Sequence, residues 1–127
     1  MDKAAMVSVD ISSGAEVLKA LDGAKVKVSV ALWAHLPEYA DWRLVLAGPK
    51  FDEVGPEHFH RLLRESLAPA GFTPYNTPLT QILPMNDPFI KALRRLFGKT
   101  KTVEGMRIGG QLFGDRFVED GYVYRIS

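Results

Sequence analysis

From Lys25 to Trp33 apolar and polar positions alternate. Val26, Val28, Val30 and Leu32 fall on one side, and Lys25, Lys27, Ser29, Ala31 and Trp33 on the other. A period of two sustained over this length predicts a half-buried β-strand. Pro37 and Asp41 break the pattern, and a second run then places Trp42, Leu44 and Leu46 on one side. With Leu36 to Ala40 as the loop, the two runs predict an antiparallel hairpin. If one face is buried, side-chain matching sets Leu32 opposite Leu44, Val30 opposite Leu46 and Ala34 opposite Trp42. A one-residue slip would set Leu32 against Val45 and Trp33 against Leu44, mixing the faces, so the pattern favours the first pairing.

Helical spacing takes over on either side of the hairpin. Ser13-Gly14-Ala15-Glu16 fits a capping box, after which Val17, Leu18 and Leu21 share a helical face that Gly23 ends. Residues 1–12 read as a partly ordered arm, in which Val7, Val9 and Ile11 could make a short docked strand, and 13–127 as one domain. Gly55-Pro56 opens a second helix whose buried stripe is Phe59, Leu62, Leu63, Ser66 and Leu67, ended by Pro69 and Gly71. The proline-rich stretch GFTPYNTP connects it to a short strand from Thr80 to Leu83, which makes that helix a crossover. Asn86 or Asp87 caps a third helix with Pro88 in its first turn, burying Phe89, Leu93 and either Leu96 or Phe97. Beyond Val103 the chain is glycine-rich and strand-forming, and Met106, Ile108 and Tyr122-Val123-Tyr124 predict a second hairpin. The order points to an α+β fold: a mostly antiparallel sheet of four or five strands, with about three helices packed mainly on one face. Val28, Val30, Leu32, Leu44 and Leu46, with Leu18, Leu62 and Leu93, are the expected centre of the core.

Composition changes this picture little. The 127 residues suit one core, and a net charge of +1 demands neither nucleic acid nor membrane as a partner. The absence of cysteine removes disulfides and thiol chemistry and fits a reducing cytoplasm. No apolar run is long enough to span a bilayer.

Candidate chemistry is sparse. His58 and His60, two apart on a helix, project to different faces and cannot share a metal ion. His35 lies near the hairpin end with Asp41 opposite, an arrangement that reads first as a cross-strand polar pair and only second as an oriented base. Glu119 and Asp120 are adjacent on a strand, so they point apart, and a shared metal would need a bulge and help from Glu104 or Asp115. Gly109-Gly110 lacks the lysine and helix of a phosphate loop. No catalytic residue, metal site or cofactor is implied.

WAHLPEYADWRLVLAGP, FDEVGP before a helix, NDPFIKALRRL and the ending FVEDGYVYRIS resemble a group of small bacterial proteins. The shared features are a W-R-L strand, an N-D-P helix start and an E-D-x-Y-x-Y-R terminus. The resemblance spans most of residues 13–126 and implies no activity.

Two functional expectations lead, neither of them enzymatic, with a small hydrolase a distant third. The first is a non-catalytic module that binds a protein partner or a second copy through a sheet face or edge. Its contact face would hold Trp33, Arg43, Val45, Tyr122 and Tyr124, residue types that often anchor interfaces, unless a helix or the N-terminal arm covers it. The alternative is weak nucleic-acid association through the basic helix 87–97 and its sequel: Lys91, Arg94, Arg95, Lys99 and Lys101. Cations near a helix C-terminus are also favoured by the helix dipole alone.

Overall fold

The computed structural model describes residues 8–100 and 102–127. In chain order the elements are α1 (Ser8–Gly23), β1 (Val30–His35), β2 (Arg43–Ala47), α2 (Pro49–Val54), α3 (Phe59–Leu67), β3 (Thr80–Ile82), α4 (Pro88–Phe97), β4 (Arg107–Ile108), β5 (Gln111–Phe113), β6 (Arg116–Val118) and β7 (Asp120–Ile126). Short 3₁₀ turns at Pro56–His58 and Ala68–Ala70 flank α3. β1–β4 and β7 form a mixed sheet in the order β3-β2-β1-β7-β4, and β5-β6 is a separate hairpin. Only the β2–β3 pair is parallel, joined by α2 and α3 as the crossover. The α+β class and the largely antiparallel sheet are as the sequence predicts.

The hairpin register is not. Leu32 pairs with Val45, Trp33 with Leu44, Ala31 with Leu46 and Val30 with Ala47, which is the slipped pairing. The matching above assumed one buried face, whereas all six residues of β1 are buried. With apolar groups wanted on both sides, the slip carries no penalty, and size matching decides: Ala31 meets Leu46 and Val30 meets Ala47. The expected core therefore divides. Leu44, Leu46 and Val28 join Leu18 and the half-buried Leu62 beneath α1, α2 and α3, while Val30 and Leu32 join Leu93 beneath α4 and the β5-β6 hairpin. Helices lie mainly on one face, but the other face is covered too.

Within the helices the apolar stripes behave as read. α3 buries Phe59, Leu63, Ser66 and Leu67. α4 starts where the Asp87 carboxylate accepts the Phe89 N–H at 2.9 Å, and it turns Phe97, not the exposed Leu96, toward the core. α1 begins at Ser8, so Ser13 and Glu16 lie inside it and form no capping box, and residues 8–12 are helical instead of an arm or strand. Residues 1–7 lie outside the described residues. Gly14 explains how close α1 comes to the sheet. A Cβ there would sit 2.7 Å from the Trp33 indole nitrogen and closer still to the Tyr124 hydroxyl, a space only glycine leaves open. β4 and β7 pair as expected, with the β5-β6 hairpin inserted between them. At its Gly114, with φ 62°, an added Cβ would collide with the Pro88 carbonyl at the start of α4.

Candidate functional site

The expected contact face is covered. Trp33 is 5% exposed beneath α1, and its indole N–H is shared between the Asp10 carbonyl at 3.1 Å and the Tyr124 hydroxyl at 3.0 Å. The Tyr124 hydroxyl in turn donates to the Ile11 carbonyl. Burial pushes the Tyr124 phenol up to about 12 by penalising its anion, only partly offset by the Trp33 hydrogen bond. Tyr122 packs edge-on against Tyr124 at 5.3 Å. A bulge in β7 opposite Ala31 and Leu32 lets the consecutive Tyr124 and Arg125 both reach α1: Arg125 pairs with Asp22 at 2.9 and 3.0 Å. Val45 is buried on the opposite face. Arg43, paired with Ala34 and so on Val45's side of the sheet, lays its guanidinium 3.9 Å from the Tyr39 ring centroid. The five residues therefore form no common exposed surface.

His35 takes a different partner from the one its sequence neighbours suggest. Its Nδ1 lies 2.8 Å from Glu119 Oε1, its ring meets Trp42 at 5.5 Å, and Asp41 is exposed elsewhere. The Glu119 N–H also donates to the His35 carbonyl, so the pair ties the ends of β1 and β7 together. Asp120 turns away from Glu119 to make two 2.8 Å bonds to Arg107. Among the described residues no three His, Asp or Glu side chains gather as metal ligands.

The basic residues of α4 split up. Arg94 Nε donates to the Ser127 carbonyl at 2.8 Å. Lys91 and Arg94 line a cavity of about 470 Å³ together with Asp52, Met85 and Asn86. Arg95 and Lys99 are exposed, and Lys101 lies outside the described residues.

What the sequence reading passed over is the edge at β3. The Leu44 N–H bonds the Leu79 carbonyl at 2.8 Å, and the Leu83 N–H bonds the Leu46 carbonyl at 3.0 Å. In a parallel ladder alternate residues turn their backbone groups toward the neighbour. Leu79, Gln81 and Leu83 thus serve β2, and the N–H and C=O of Thr80 and Ile82 point out of the sheet. Among the described residues none bonds them. Beside this edge runs a cavity of about 360 Å³ between α3 and the preceding loop. Its walls are His60, Leu63, Arg64 and Leu67 of α3, and Phe72, Pro78, Leu79 and Thr80 across from them. The signal was present in sequence: Leu63 and Leu67 recur at helical spacing, and an uncharged three-residue strand follows a proline-rich loop.

Among the described residues no helix is long and apolar enough to cross a membrane. The chain matches no family model, curated protein or solved structure.

Proposed function

We propose that this protein is a small non-catalytic interaction module that docks a strand of a partner protein on the outer edge of β3. The observation that supports it is the outward-facing backbone of Thr80 and Ile82, with Thr80 bordering an apolar groove. Strand addition uses backbone hydrogen bonds for affinity and neighbouring pockets for side-chain choice, and β3 presents both together. Natural sheets blunt their edges with charge or proline when pairing is unwanted. β3, reading Thr-Gln-Ile, carries neither. β4, by contrast, is two residues long and capped by Arg107, which bonds the Gly121 carbonyl and the Asp120 carboxylate. A cysteine-free chain fits action in a bacterial cytoplasm.

The test is an NMR titration with short extended peptides. Binding should shift the amides of Thr80 and Ile82 first, and Thr80→Pro, which removes an N–H that the sheet does not use, should weaken binding at least about tenfold. Shifts centred on α4 or β4 with Thr80 unmoved would reject this reading.

A further inference from the structure

Among the described residues the groove beside β3 carries charge of one sign only. His60, Leu63, Arg64 and Leu67 recur at i, i+3, i+4 and i+7, so they form one stripe of α3 facing the cavity. Leu63 and Leu67 supply an apolar floor. Among the described residues the titratable side chains on its walls are His60 and Arg64, and no carboxylate lines it. Across the Tyr75 loop lies a second cleft of about 440 Å³ whose lining includes Asp10 and Asp41. The loop thus separates a cationic groove from an acidic one. It is also pre-formed: Asn76 Oδ1 accepts the Thr73 N–H at 2.6 Å, the Thr77 hydroxyl donates to the Thr73 carbonyl at 2.6 Å, and Pro74 and Pro78 fix the backbone between. A groove that needs no ordering on binding loses less affinity to entropy.

Resting on the edge reading above, we infer that the occupant is an extended segment of a partner protein with an apolar and an acidic side chain two residues apart. A strand added to β3 sends every second side chain toward α3, about 7 Å apart. Leu63 with Leu67, and His60 with Arg64, each span about one helical turn, roughly 5–6 Å. One side chain of the added strand then settles on the leucines while the next on that face brings its carboxylate to the Arg64 guanidinium, with the His60 imidazole beside it. A lysine at the same place would meet Arg64 as a like charge, and would be drawn to the acidic cleft across the loop instead.

The experiment uses the whole protein and three serine-flanked alternating valine–threonine peptides that differ in one guest residue: glutamate, glutamine or lysine. Fluorescence anisotropy should rank them in that order, with glutamate about three- to fivefold tighter than lysine and the gap narrowing at high salt. Arg64→Gln should close the gap and leave the glutamine peptide unchanged. N-methylation of the peptide amides that face β3 should weaken all three alike, and so should Thr80→Pro. Equal affinities for glutamate and lysine, with N-methylation still effective, overturn the charge selection and leave the edge reading standing. Indifference to both N-methylation and Thr80→Pro, or no binding at all, overturns the two together. Dimerisation of the free protein that Thr80→Pro abolishes would assign the groove to a second copy and overturn the inference.

Discussion

The two faces of the central sheet are buried by different means. Beneath α4 and the β5-β6 hairpin the packing is nearly all aliphatic and aromatic: Phe113 meets Phe89 and Phe97, each at 6.4 Å, over Val30, Leu32 and Val123. Beneath α1 the apolar packing carries a polar thread, in which Trp33 donates to Tyr124 and Tyr124 to the Ile11 carbonyl. The first face is fixed by volume. The second is fixed by volume and by hydrogen bonds whose loss leaves buried groups unpaired. The lesson is that a sheet covered on both sides can seat one layer loosely in sequence terms, through any apolar stripe, and the other only through named donors and acceptors.

The largest test of this contrast is also the bluntest. Leu32→Ala and Leu44→Ala lie on opposite faces, and each should cost about 2–5 kcal/mol in urea unfolding. A loss below about 1 kcal/mol for either would mean that its face is not core. Gly14→Ala should cost about 1–3 kcal/mol by driving a methyl into Trp33 and Tyr124, more than the gain of up to about 1 kcal/mol in helix propensity. A stabilised variant would place α1 further from the sheet. Trp33→Phe keeps the aromatic bulk but removes the indole donor, and should cost about 1–3 kcal/mol through loss of its bonds to the Tyr124 hydroxyl and the Asp10 carbonyl.

Alkaline unfolding probes the thread more gently. The folded phenol of Tyr124 holds its proton to about 12 against 10.0 for a free tyrosine. Its contribution is therefore complete below pH 10 and is lost as pH rises through 12. Tyr124→Phe should flatten that part of the stability profile, and an unchanged profile would locate the dependence elsewhere. The smallest effect expected is that of Thr80→Pro on stability, below about 1 kcal/mol, because the edge N–H makes no bond in the sheet. A larger loss would show that β3 is closed by some contact of its own.

Much of this architecture was legible in the chain. The stripes of α3 and α4, the Asp87 cap and the crossover to β3 follow from spacing and from proline chemistry. The register of β1 on β2 does not, because a period of two cannot choose a register when both faces are apolar, and Ala31 reads as an exposed filler until a second layer covers it. For the same reason Trp33 looked like an anchor on an open face. Proximity along the hairpin pairs His35 with Asp41, while its carboxylate comes from Glu119, 84 residues away. Long-range partners of that kind leave no local pattern. The β3 groove is half legible: helical spacing marks its leucines as core stripe, and only the strand's position at the sheet edge turns their neighbours into a rim.

The two tryptophans stand in unlike surroundings, one sealed under α1 and hydrogen-bonded, the other half-buried against the His35 ring. The protein therefore carries two built-in optical reporters. Trp33 should emit toward the blue while α1 stays seated and shift red when that helix lifts away. Trp42, half-buried and 5.5 Å from the His35 ring, should emit further to the red and change only when the sheet itself opens. Read at two wavelengths, one unlabelled sample distinguishes the lifting of a single layer from unfolding of the sheet.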